Sequence, residues 1–174
     1  RGGEMPTDKV ARFKHDLMAW SDEMNNYGLT EEEQESLKPI LETTYGVCLT
    51  QEQFMSIVQL PIAGGFSLQW ADRARKSVAK KIPKEFEALE QEYYEGCKEK
   101  GVSPSMSRYV WSVLVKPQAG YSFNASHTTS YSILALQELN LAFRYPIIFW
   151  NCACPIVDSG GTPEDLYIDK EYSP

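Results

Sequence analysis

The sequence has 174 residues, 43% hydrophobic and 24% charged, a balance that fits one globular domain and excludes intrinsic disorder and collagen-like structure. No apolar run approaches the roughly 18 residues of a spanning helix; the stretch from Pro146 to Val157 is short and interrupted by Asn151. With 17 Lys and Arg against 24 Asp and Glu, the formal charge is −7, which argues against non-specific binding of nucleic acid by the surface as a whole.

Taken in chain order, the pattern is helical almost throughout. Thr7 caps a first helix that carries Val10, Phe13, Leu17 and Met18 and frays near Asn25-Asn26, with Gly28 as its stop. Thr30 and Glu33 have the spacing of a capping box, in which each side chain bonds the other residue's backbone N–H. They open a short helix toward Leu37, and Pro39 restricts the residue before it. Tyr45 to Leu49 is the one β-like stretch. Thr50 and Gln53 repeat the capping box ahead of Phe54, Ile57 and Val58, and Gly64-Gly65 breaks that helix. Ser67 caps the next. Pro83 suits a first helical turn, with Phe86, Leu89 and Tyr93 recurring among glutamates until Gly101. Ser103-Pro104 opens a helix through Tyr109, Val110, Val113 and Leu114 that ends by Pro117. Residues 118–126 read as a polar loop, with Ser126 as cap of a long apolar helix to Phe143. Pro146 starts a short helix through Phe149 and Trp150.

These elements predict an all-α fold of seven or eight helices. One helical domain covers residues 1–155, and residues 156–174 form a loop or the truncated start of a following region. The sequence begins at Arg1 and stops without finishing an element, as a fragment of a longer chain would.

Two groupings carry chemistry. From Asp72 to Lys84 the sequence reads DRARKSVAKKIPK, six cations against one anion. On a helix, Arg75 and Lys76 lie four residues before Ala79 and Lys80, so that cations recur on one side, with Lys81 just beyond. Arg offers a planar fork for phosphate oxygens and Lys a compact charge. The competing reading is a solvated, salt-bridged helix face. The second grouping is Gly120-Tyr121-Ser122-Phe123-Asn124-Ala125-Ser126-His127. Glycine admits close backbone approach, the rings of Tyr121 and Phe123 suit a base or sugar, and Asn124, Ser126 and His127 supply hydrogen bonds at a helix start, where N–H groups favour anions. The competing reading is a polar loop that caps a helix.

Other chemistries find no support. Cys48, Cys97, Cys152 and Cys154 lack the spacing of a zinc site. Adjacent Ser126 and His127 point in different directions on a helix, and no G-x-S-x-G, Walker lysine loop or G-x-G-x-x-G occurs. Carboxylates that would converge on two metals are missing, so no residue is assigned as catalytic or metal-binding.

Residues 35–47, ESLKPILETTYGV, followed by Gln51-Glu52-Gln53-Phe54-Met55, resemble a stretch of the alpha subunit of bacterial DNA polymerase III, the C-family replicative polymerases. Gly65-Phe66-Ser67-Leu68, Ala71-Asp72, Arg75-Lys76 and Lys80-Lys81 are similar to that family's G-[YF]-[ST]-L-G-x-A-D-x-L-R-R-A-M-G-K-K. Gly120 to His127 resembles its G-Y-G-F-N-K-S-H, and Tyr131, Tyr145-Pro146 and Phe149 fall on its later aromatic positions. Order and spacing agree from about residue 34 to 153; the first 33 residues match only loosely. Four departures stand out: Lys76 for arginine, Ala79 and Ser122 for glycine, and Ala125 for lysine. They suit a divergent, phage-encoded branch.

The resemblance implies the fingers of a DNA-directed DNA polymerase in a bacterial or phage-infected cytoplasm. It implies that Arg75, Lys76, Lys80 and Lys81 face the triphosphate or the nucleic-acid backbone. It places Gly120, Tyr121, Phe123, Asn124, Ser126 and His127 beside the incoming deoxynucleoside triphosphate. Implied partners are primer–template DNA, the palm and thumb of the same polymerase, and a sliding clamp through regions outside this chain; no membrane is implied. Mg²⁺ would be held by palm carboxylates, also outside it. The competing classes are a non-catalytic helical interaction module and one piece of a split polymerase.

Overall fold

The structure is a computed structural model that describes residues 6–16, 18–80, 83–119 and 123–158, with the side chains of 6, 7, 79, 80, 83, 84 and 158 left out. The chain divides into two compact units, Arg1–Ala125 and Ser126–Pro174. The described residues are helical and contain no β-strand.

In the first unit the single helix expected from Thr7 to Gly28 is two, α1 (Pro6–His15) and α2 (Ala19–Tyr27). Between them the Asp16 carboxylate accepts from the Met18 N–H at 3.1 Å, a local bond that competes with helix continuation. Gly28 ends α2 at φ 79°, and its N–H and that of Leu29 return to Asn25 and Met24, a left-handed cap suited to glycine. The capping box opens α3 (Glu31–Leu41): Thr30 Oγ1 accepts from Glu33 N, and Glu33 accepts from Thr30 N at 2.7 Å. The buried Glu33 carboxylate also accepts from Ser103 Oγ, itself the cap of α7 (Pro104–Tyr109). One carboxylate thereby joins the starts of two helices. Pro39 lies inside α3.

Tyr45 to Leu49 forms no strand. A 3₁₀ turn (Glu42–Thr44) leads into it, Tyr45 and Gly46 take positive φ, and the adjacent Val47 and Cys48 are both buried, with no strand-like alternation. Among the described residues, pairing is limited to one parallel bridge, Thr50 with Phe123. Then come α4 (Gln51–Gln59), a 3₁₀ turn (Pro61–Ala63), α5 (Leu68–Lys80) and α6 (Pro83–Glu99). Helix α7 runs on through a π-helical turn (Val110–Val115) and a 3₁₀ turn (Lys116–Ala119).

The second capping box does more than begin α4. Gln53 Oε1 accepts from the N–H groups of Leu49 and Thr50 at 2.9 and 3.1 Å, while its Nε2 donates to Ile40 O and Thr44 Oγ1 at 3.1 and 2.8 Å. This pins the end of α3 to the start of α4. Behind both lies an aromatic core: Phe66, Tyr93 and Trp111 stack in sequence at 5.3 and 5.2 Å. Trp111, Tyr93, Tyr109, Phe13 and Phe54 are its largest fully buried side chains. Each such burial contributes about 1.5–3 kcal/mol.

The second unit holds α8 (Ala125–Arg144, whose first residue closes the first unit), α9 (Pro146–Ile148), a π-helical turn (Phe149–Ala153) and α10 (Cys154–Asp158). No residue of α8 is buried.

Candidate functional site

Helix α5 carries the basic stripe, and its Arg73, Arg75 and Lys76 are each ion-paired. Arg75 donates through Nε and Nη2 to Asp72 Oδ1 at 3.1 and 2.7 Å, and Lys76 Nζ pairs with Asp72 Oδ2 at 2.6 Å. Lys76 and Arg75 together hold the Asp72 carboxyl below the ordinary carboxylate range. One carboxylate thus gathers two cations one helical turn away. Arg73 points elsewhere: it pairs with Glu92 on α6, whose carboxylate also accepts from Trp70 Nε1 at 3.0 Å. The stripe is therefore not single-faced. Arg75 is half-buried, and the Lys76 side chain is 60% exposed. Lys80 closes α5; its side chain and the whole of Lys81 lie outside the described residues.

Gly120 and Tyr121 also lie outside them, with Ser122. The described part of the loop is fastened to the start of α4. Gln51 N donates to Phe123 O at 2.8 Å, and Phe123 N donates to Leu49 O at 3.4 Å. The Ala125 N–H, first in α8, donates to Glu52 Oε2 at 3.0 Å. Just upstream, Gln118 Nε2 donates to Cys48 O. Helix α8 starts at Ala125, one residue before the expected cap, so Ser126 lies in its first turn. The N–H of Ala125 is thereby held by a carboxylate of the same unit. Phe123 and Asn124 are exposed. In the second unit Ser126 and His127 are exposed, and the His127 ring lies 4.3 Å from that of Tyr131.

The two sequence groupings meet at one residue. Gln51 Oε1 accepts from Arg75 Nη1 at 3.0 Å while its backbone N–H holds Phe123 O. The structure therefore brings Arg75 and Phe123–Ala125 together around α4, with Lys76 one step along α5. Sequence reading matched Gln51 and Glu52 only as part of a motif and gave them no role. The capping box does place them in the first turn of α4, but their partners lie 24 and 73 residues away, beyond local pattern.

Among the described residues, no group of three or more His, Cys, Asp or Glu side chains is placed to hold a metal. No helix among them is long and apolar enough to cross a membrane. The four cysteines form no disulfide.

The fold and site define an all-α unit whose basic helix α5 is tied through α4 to the loop at Phe123–Ala125. Comparison with known proteins makes that specific. The model of the bacterial DNA polymerase III alpha subunit finger domain matches residues 1–101, and the chain belongs to that family. The match includes the N-terminal residues whose motifs agree only loosely. The "Probable DNA polymerase YorL" of Bacillus subtilis and the "DNA-directed DNA polymerase" of Bacillus phage SPbeta are each 42% identical over 160 residues, 92% of this chain and 12% of the relative. DNA polymerase III subunit alpha of Escherichia coli K12 is 39% identical over 115 residues, 66% of this chain and 10% of that protein. The chain thus spans about an eighth or less of the length of these relatives.

Proposed function

We propose that this chain is the fingers portion of a DNA-directed DNA polymerase that acts in DNA replication, and that α5 and the loop at residues 120–127 bind the incoming deoxynucleoside triphosphate. In the reaction a primer 3′-hydroxyl attacks the α-phosphorus and pyrophosphate leaves. Such transfer depends on positioning and on neutralising phosphate charge. Arg75 and Lys76, with Lys80 and Lys81, would meet the triphosphate or the nucleic-acid backbone. Tyr121 or Phe123 would pack on base or sugar, and Asn124, Ser126 and His127 would hydrogen-bond phosphate or sugar. Metal-binding carboxylates belong to a palm outside this chain, so no step is assigned to a metal here. Primer–template DNA, that palm, a thumb and a sliding clamp are the partners of the whole enzyme.

The observation that carries this reading is the convergence of Arg75 and Phe123 on Gln51. It sets a guanidinium beside the loop that would receive the nucleotide. Single-nucleotide extension by the full-length polymerase tests it. Arg75→Ala is expected to raise the apparent KM for nucleotide by about tenfold or more, the worth of a charged hydrogen bond. Unchanged KM and kcat would overturn the assignment.

A further inference from the structure

We propose that Gln51 is a positioning residue for nucleotide binding. It locks the Arg75 guanidinium in plane and ties it to the Phe123 segment, so that cation and loop move as one body. The inference rests on the nucleotide role given to Arg75 above.

Gln51 is the first residue of α4. Its backbone N–H has no intrahelical acceptor, and it donates to Phe123 O at 2.8 Å. Its side-chain oxygen takes Arg75 Nη1 at 3.0 Å from the opposite edge to Asp72, which takes Nε and Nη2. The guanidinium is therefore gripped on two edges. A planar fork so held keeps its orientation before any ligand arrives, and less side-chain entropy is lost on binding. The three bonds use three of its five donors. An amide oxygen suits this place better than a carboxylate. It orients the cation without neutralising it, whereas the charge of Asp72 is already shared between Arg75 and Lys76. Glu52, the next residue, fixes the far end of the same loop at the Ala125 N–H. The first turn of α4 thereby holds the loop at Phe123 and Ala125 and the cation at Nη1.

The test is a double-mutant cycle in the full-length polymerase, read by single-nucleotide extension. Gln51→Met keeps the backbone N–H and about the same volume but removes the acceptor. It is expected to raise the nucleotide KM by about tenfold, with kcat changed less than about threefold. In an Arg75→Ala background the same change is expected to add nothing, because Gln51 acts through Arg75. Gln51→Ala carries the same expectation and preserves the helix by its high propensity, should the methionine variant not fold. A KM left unchanged by Gln51→Met or Gln51→Ala, while Arg75→Ala raises it, overturns the positioning role and spares the nucleotide reading. So does a loss that multiplies in the double variant. A silent Arg75→Ala overturns both.

Discussion

Single residues in this chain carry more than their sequence patterns announce. Glu33 and Gln53 are legible as capping-box partners, and both bonds form, yet each also holds a second helix through groups that sequence spacing does not bring near: Ser103 for Glu33, Ile40 and Thr44 for Gln53. Asp72 reads as the lone anion of a basic run; in the structure it is the clamp of Arg75 and Lys76. Buried titratable groups were not legible at all. Burial pushes the Cys48 thiol and the Tyr93 phenol up. Burial also raises Tyr109, and the Glu23 carboxylate, which accepts from its hydroxyl at 3.3 Å, adds to this. All three folded values exceed the unfolded ones, 9 for the thiol and 10 for the phenols. Their contribution is therefore full below the unfolded values and is lost as pH rises, because the unfolded chain releases protons that the folded chain keeps. Above about pH 10 each group lowers the unfolding free energy by about 1.4 kcal/mol per pH unit. Urea unfolding at about pH 8, 10 and 11 checks this; a flat profile would contradict it.

At the scale of elements, punctuation by Gly, Pro and Thr located most helices, because caps are local physics. Gly28, Thr30, Thr50 and Ser103 all act at the expected places. Two features escaped: the break at Asp16–Met18, where a side chain competes with the backbone, and the absence of a strand at Tyr45–Leu49, where Tyr45 and Gly46 turn the chain at positive φ and Val47 and Cys48 are buried side by side. How α6 meets the segment before α5 was also not readable, since it involves one close approach between residues 30 apart in the chain. A Cβ on Gly96 of α6 would lie 2.8 Å from the Phe66 ring, below any normal contact. That ring cannot easily yield. It lies 4.2 Å from Trp70 and 5.3 Å from Tyr93, with Lys100 Nζ 4.8 Å from its centre. Overpacking of this kind costs about 1–3 kcal/mol, and the helix propensity gained from alanine offsets up to about 1 kcal/mol. Gly96→Ala is therefore expected to destabilise by about 1 kcal/mol, measured as a shift of the denaturant midpoint. A stabilised variant would show that Phe66 moves freely.

For the molecule as a whole, the contrast between the two units sets where stability resides. Among the described residues, every buried apolar side chain lies between Phe13 and Val115. Helix α8 carries Ile133, Leu134, Leu136, Leu139, Leu141 and Phe143, all exposed, Phe143 at 89%. Exposed apolar surface of that extent is normally covered in a protein, and most helical stability comes from packing of an apolar face rather than from backbone bonds. The sequence showed the apolar run of α8 but could not show whether anything covers it, because covering depends on residues remote in the chain. Its amides are therefore expected to open with little more than local fraying, whereas those of Val110–Val115 open only with the core. Hydrogen exchange on the chain by itself is expected to be faster in α8 by on the order of a hundredfold or more. Equal protection would mean that the apolar side chains of α8 are covered and that burial within 13–115 is not what separates stable from labile helix in this chain.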